Sequence, residues 1–153
     1  MRHLIDPTDL TVAETEQIVA LAEDIIANRA KYSEACKGRK LATLRDEGIM
    51  LVASGNVVHN LRTARWHGEN TPYPWATAFN DYVKANLTWQ GPAEAHPLVN
   101  YLEHEGGSLS NPTPEHFLPL LYVLGAWDGE EPVTIPVDGL EMGSLSMLSV
   151  QVG

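Results

Sequence analysis

Six histidines carry the proton-transfer and metal-binding chemistry open to this 153-residue chain: His3, His59, His67, His96, His104 and His116. Neutral imidazole nitrogen is the commonest protein metal ligand, and its proton equilibrium lies nearest physiological pH. The single cysteine, Cys36, allows no intrachain disulfide and no CxxC metal pair. No HExxH helix, no G-x-G-x-x-G turn and no G-x-S-x-G elbow occurs, so zinc-peptidase, dinucleotide-binding and serine-hydrolase chemistry lack their usual frames. His59 follows the apolar pair Val57-Val58, just beyond an apolar run ending at Ser54, which draws its ring inward. His116 follows Thr113-Pro114-Glu115, a helix-opening signature that sets it at a positive dipole end suited to anions. From spacing alone each reads more readily as a structural residue, His59 as a core histidine bonded to a carbonyl and His116 as a solvated residue at a helix start. His67, His96 and His104 stand in polar or turn contexts and read as surface residues, and His3 is near a terminus. The acids Glu69, Glu115 and Asp128 could serve a metal, but no spacing selects among them.

The elements that would position these side chains are a mixture of helix and strand. Thr11-Val12-Ala13-Glu14 fits a capping box, and Ile18, Leu21, Ala22, Ile25 and Ile26 recur on one helical stripe, which predicts a helix over 11–29. Within 33–47 the segment Lys40–Leu44 could be a short strand. The charged triplet Arg45-Asp46-Glu47 and Gly48 favour a helix over 41–47 stopped by a glycine cap. Ile49–Ser54 is continuously apolar, the pattern of a strand buried on both faces in a parallel sheet. His59 would then lie beyond a strand's C-terminal end, where ligands bind in open α/β sheets. Pro74 opens a helix over 74–87, a short helix is expected over 97–104, and another over 113–126 with a bend at Pro119. Val133–Val137 and Leu145–Val152 read as strands. The order predicts an α/β fold.

Composition sets the class. With 44% hydrophobic and 20% charged residues the chain is globular rather than disordered. No apolar run approaches the roughly 20 residues of a membrane span, and the N-terminus lacks the apolar core of a signal peptide. A cytoplasmic location is expected. A net charge of −10 argues against nucleic acid or an anionic membrane as the main partner. The charge is uneven: residues 1–44 hold six Lys and Arg against seven Asp and Glu, whereas 45–153 hold four against thirteen. All four Trp and nine of the ten Pro lie in the second stretch, which points to a join near residue 44.

Two resemblances follow that division. Residues 45–153 resemble the C-terminal half of the class III extradiol ring-cleavage dioxygenases of the 4,5-DOPA type. The likeness rests on Ser54-Gly55-Asn56-Val57-Val58-His59-Asn60-Leu61, on Pro72-Tyr73-Pro74-Trp75, on the run from Asn111 through Pro114-Glu115-His116 to Leu121, and on Met142–Met147. Residues 1–44 resemble the N-terminus of aspartate carbamoyltransferase through Leu4-Ile5-Asp6, Asp9-Leu10, the following helix and Gly38-Arg39-Lys40-Leu41-Ala42-Thr43-Leu44. That family continues into a Ser-Thr-Arg-Thr-Arg phosphate loop, where this chain has Arg45-Asp46-Glu47-Gly48. The dioxygenase family has a similar Gly-Arg-Lys-Leu-Ala segment, so the two parents meet where they look alike, at about 38–44.

The dioxygenase resemblance implies a metal centre holding Fe(II) or Zn2+, and it maps site histidines onto His59 and His116. His116 corresponds to a direct ligand. His59 corresponds to a ligand or to the acid/base beside the metal. The implied substrate is a small-molecule catechol such as L-DOPA, opened by O2 to a muconate semialdehyde. The chain departs from the family by lacking its His-Gly-Ser-Pro and Ser-Ala-His-Trp motifs, which supply further metal histidines. The expected architecture is therefore a truncated, mostly parallel sheet flanked by helices, with an N-terminal helical segment. The chain alone is expected to be inactive or weak, and the uncovered strand edge invites self-association. A non-catalytic Fe/Zn-binding module and a carbamoyltransferase-related role are the alternatives.

Overall fold

The computed structural model describes residues 11–28, 41–68 and 70–153. The readings at residues 1–10, including His3, at 29–40, including Cys36, and at Glu69 lie outside the described residues. The chain divides into two compact units, Met1–Arg39 and Lys40–Gly153. Among the described residues no helix is long and apolar enough to cross a membrane.

The first unit contains helix α1, Val12–Ala27. Its start is chemically defined: the Thr11 hydroxyl accepts the Glu14 amide at 3.3 Å, and the Glu14 carboxylate accepts the Thr11 amide at 2.8 Å. This reciprocal satisfaction of early amides is the capping box expected from the sequence.

The second unit opens with α2, Leu41–Asp46. Gly48 adopts φ +78°, and the amides of Gly48 and Ile49 return to the carbonyls of Arg45 and Leu44. That left-handed glycine ends the helix as the sequence predicts. The Arg45 guanidinium reaches Ala126 O at 2.9 Å and Glu131 Oε1 at 2.6 Å, tying α2 to the far end of the unit. Helix α3, Pro74–Ala85, begins on a proline whose missing amide costs nothing there. It buries Ala76, Phe79, Asn80 and Val83, one face at helical spacing. The core gathers on that face: Val57, Val58, Leu87, Leu98, Tyr101 and Phe117 are all buried against it. The Tyr101 and Phe117 rings stand 4.3 Å apart. Burial of such side chains stabilises by about 1.5–3 kcal/mol each.

The predicted 97–104 helix is a 3-10 turn at Tyr101–Glu103, followed by the short helix α4, Gly107–Ser110. The predicted 113–126 helix is two elements: a 3-10 turn, Pro114–His116, and helix α5, Leu118–Gly125. Pro119 therefore bends nothing. It falls in the first turn of α5, where a proline fits without losing a helical hydrogen bond.

The strands correct the expected fold class. They are β1 (Val133–Val137), β2 (Leu140–Glu141), β3 (Leu145–Ser146) and β4 (Ser149–Val152), and they form two separate antiparallel pairs, β1 with β4 and β2 with β3. No parallel pairing occurs among the described residues, so the truncated parallel α/β sheet is not what the chain forms. Ile49–Ser54, assigned to that sheet from its apolar run, carries no strand hydrogen bonds. A parallel strand needs a neighbour, and none of the described residues provides one. Its apolar side chains face outward instead, with Val52 80% and Met50 62% exposed. The predicted 145–152 strand is divided between β3 and β4, where the Leu148 amide donates to the Ser146 hydroxyl at 3.1 Å. The three residues between β2 and β3 turn through Met142 at φ +50° and Gly143 at φ +77°, both left-handed, and the Ser144 amide closes the turn on Glu141 O at 3.2 Å.

Candidate functional site

The segment Asn56–Asn60 lies between two backbones that hold it by main-chain bonds. On one side the Asn56 amide donates to His116 O at 2.6 Å and the His59 amide to Ser110 O at 2.7 Å. The Asn111 side-chain amide adds a bond to Val57 O at 2.7 Å, and the Asn60 side-chain amide one to Leu109 O at 2.7 Å. On the other side His59 bridges Leu145 antiparallel, and the Ser146 amide donates to Val58 O at 2.9 Å. The Ser144 hydroxyl donates to Asn60 O at 2.9 Å. Val57 and Val58 point into the core, and His59 is left half-buried at its edge.

Close approach at the His116 end requires Gly55. A Cβ built there overlaps the His116 carbonyl oxygen and comes within 2.9 Å of Pro119 Cγ. With hydrogen alone at Cα, the 52–56 backbone can run against the Pro114–His116 turn and present the Asn56 amide to it.

This clamp brings together the two histidines selected from the sequence. Their ring centroids are 3.6 Å apart with 27° between planes, a stacked pair. Burial pushes the His59 pKa below the usual histidine value, and the neighbouring His116 acts in the same direction, offset in part by Glu115. His59 is therefore biased toward the neutral imidazole, the form that can accept a proton. The His116 side chain is 40% exposed, and its Nε2 lies 3.8 Å from Glu115 Oε1. Glu115 is held on the acidic side of its usual range first by the Thr113 hydroxyl, at 2.6 Å. The turn carrying His116 is three residues long, so the helix-dipole setting expected for it is absent.

The remaining candidates lie elsewhere. Asp128 caps its own turn, accepting the amides of Glu130 and Glu131. His67 is exposed, as expected. His96 and His104 are half-buried rather than surface residues, because each turns Nδ1 onto a backbone amide two positions on, Leu98 and Gly106. Among the described residues no group of three or more His, Cys, Asp or Glu converges as a metal cage. Sequence reasoning passed over three polar side chains beside the histidines. The oxygens Asn56 Oδ1, Ser110 Oγ and Asn111 Oδ1 are buried and make no hydrogen bond among the described residues. Asn56 and Asn111 stand inside the two quoted motifs, and their amides, rather than any spacing, mark them.

Part of the chain has a counterpart among solved structures and curated proteins. No family model matches the chain. Most of it is nevertheless similar in sequence to proteins named 4,5-DOPA dioxygenase extradiol. The particular relative is the 4,5-DOPA dioxygenase extradiol of Escherichia coli (strain K12), 84% identical over 116 residues, which make up 76% of this chain and 43% of that one. A crystal structure of an uncharacterized protein from Escherichia coli K12 superposes with a TM-score of 0.73 at 84% identity, over 74% of this chain and 46% of the other. A shorter match, 50% over 44 residues, is to the aspartate carbamoyltransferase catalytic subunit of Lachnoclostridium phytofermentans, covering 29% of this chain and 14% of that subunit. The chain spans less than half the length of each of these proteins.

Proposed function

We propose that the chain carries the C-terminal part of an extradiol dioxygenase centre, joined at about residues 38–44 to a carbamoyltransferase-like N-terminus, and that alone it turns over catechols weakly or not at all. The observation that supports this reading is the stacked pair His59–His116. An ion bound to two imidazoles at about 2.0–2.1 Å per bond, with ordinary angles between ligands, holds their centroids roughly 4.5–5 Å apart. A separation of 3.6 Å is too short for two ligands of one ion and suits a ligand with a neighbour laid against it. His116, presented to the groove beside residues 52–57, is the ligand. His59, half-buried and biased neutral, takes or returns a proton beside it.

Imidazole suits both Fe(II) and Zn2+. One imidazole fits one position of such an ion, and the described residues do not fill the others. When bound, Fe(II) would supply open positions for a catechol's oxygens and for O2; Zn2+ would hold the same ligand without redox chemistry. The chain's own contribution is to fix the His116 ring through its carbonyl, to hold His59 against it, and to keep His59 able to accept a proton.

The test is metal titration with oxygen uptake on L-DOPA, using the full chain and two variants. His116→Ala lowers Fe(II) or Zn2+ affinity by at least about 10–100-fold, the range seen when even a supporting ligand partner is lost. His59→Ala leaves affinity within a few-fold. Family-like turnover by the isolated chain, or affinity indifferent to His116→Ala, overturns the proposal.

A further inference from the structure

We infer that Arg65 is the residue that recognises the carboxylate of the substrate, so that among catechols the site takes those carrying an acid group on a short side chain. The inference rests on the reading of the site above for the catechol, and adds to it a residue with no part in metal binding.

Residues 45–153 hold four Lys and Arg against thirteen Asp and Glu, and none of the four follows Lys84. Two of the four are consumed in ion pairs: Arg45 with Glu131 at 2.6 Å, and Lys84 with Asp138 at 2.8 Å and Asp81 at 2.9 Å. Arg62 and Arg65 make no ion pair among the described residues. In a chain this acidic, a guanidinium with no acid beside it is the exception. Arg62 is exposed, whereas Arg65 is half-buried and held in place. Its Nη1 donates to Thr71 O at 2.7 Å, and its Cζ lies 4.4 Å from the centre of the Tyr73 ring. Tyr73 is stacked in turn on Trp75, at 5.4 Å with 13° between planes. The carbonyl and the ring fix the guanidinium plane, and its Nε and Nη2 donors make no hydrogen bond among the described residues. That edge is the fork that takes a carboxylate in two parallel hydrogen bonds. Because the stack already holds the side chain, little rotamer freedom is lost on binding.

The backbone joins this fork to the histidine pair. Consecutive residues from Met142 onward each hold a different segment. Met142 O accepts the Arg65 amide at 2.8 Å, Gly143 O the Tyr73 amide at 2.9 Å and Ser144 O the Asn60 amide at 3.2 Å, and Leu145 bridges His59. The anchors of Arg65 and His59 are three residues apart along this turn, at most about 11 Å. An arginine side chain and a short acid tail together span that interval. Trp66, next in sequence and 58% exposed, gives an indole face at the same turn. Pro72-Tyr73-Pro74-Trp75 and Met142–Met147, which carry the resemblance but contain neither site histidine, thereby acquire a role.

The experiment titrates the full chain, in chelator, with phenylpropionate and with its neutral amide, and follows the Trp66 indole and the backbone amides by nuclear magnetic resonance. These probes carry no diol and meet no metal, so failure of the metal assignment leaves the result untouched, and His116→Ala should not change it. The acid is expected to bind about tenfold or more tighter than the amide, the worth of a hydrogen bond to a charged group. Arg65→Met removes that preference and leaves the affinity for the amide within a few-fold. Arg65→Lys keeps a stem and a charge over Tyr73, and so serves where the methionine variant fails to fold; it retains only part of the preference, because an ammonium offers no fork. Dihydrocaffeate, the catechol counterpart of the acid, should also shift the ring protons of His59 in the parent and not in Arg65→Met. Equal affinity for acid and amide, a preference unaltered by Arg65→Met or kept whole by Arg65→Lys, or dihydrocaffeate shifts confined to residues 62–75 would overturn the inference.

Discussion

Replacing Gly55 with alanine tests the clamp that brings the two histidines together. The added methyl meets the His116 carbonyl oxygen, a backbone atom, and the ring of Pro119, itself fixed in the first turn of α5. Neither can rotate away, so the backbones separate. Overpacking of this kind costs about 1–3 kcal/mol. Separation also stretches the 2.6 Å bond from the Asn56 amide, and leaving such a group unsatisfied costs about 1–3 kcal/mol more. The two costs share one movement and do not fully add, so a loss of about 2–4 kcal/mol is expected, which for a unit of this size lowers Tm by roughly 10 °C. Thermal unfolding followed by circular dichroism reads the loss. Contacts between the ring protons of His59 and His116 in a nuclear Overhauser spectrum read the local geometry, and they should vanish. Gly125→Ala is the control, because nothing lies within 4 Å of its added carbon, and it should be neutral or slightly stabilising. A Gly55→Ala protein that melts within 2 °C of the parent and keeps the ring contacts would refute the argument.

Other outcomes follow from the same bonds. Asn111→Ala removes the buried donor to Val57 O and should cost about 1–3 kcal/mol by urea denaturation; Asn111→Asp, which replaces that donor with an acceptor, should be no better, and tolerance of both would show the bond to be idle. Burial holds the His96 pKa below its usual 6.5, and its Nδ1 must stay unprotonated to accept the Leu98 amide. The unfolded chain therefore takes up this proton first: the stability is present above pH 6.5 and is lost as pH falls through the lower folded value. His96→Asn, which keeps an acceptor and cannot titrate, should show a shallower fall in Tm between about pH 7.5 and 5; parallel curves for parent and variant would contradict this.

What the sequence made legible was local. Thr11 and Glu14 announce α1, Pro74 and the spacing of Phe79 and Val83 announce α3, and Gly48 announces the end of α2. Each signal acts within one or two helical turns. Ile49–Ser54 misled because an apolar run records a preference for burial and not the presence of a partner. The 113–126 helix misled because Thr113 and Pro114 open a turn that Pro119, at the head of α5, closes off as a separate element. The histidine pair lies between these cases. Val57-Val58 gives the inward direction of His59, but nothing near either residue says that they meet; that depends on Gly55, Ser110 and Asn111 crossing from distant segments.

The bonds that address the two imidazoles are made by peptide groups: the carbonyl of His116 and the amide of His59. Any residue placed at either position would inherit the same anchorage. Reactivity and foldedness are thus separately heritable here. Chemistry can be erased by exchanging a ring while the surrounding lattice of amides persists, and a catalytically silent descendant would remain, by every measure of melting or compactness, a well-made protein.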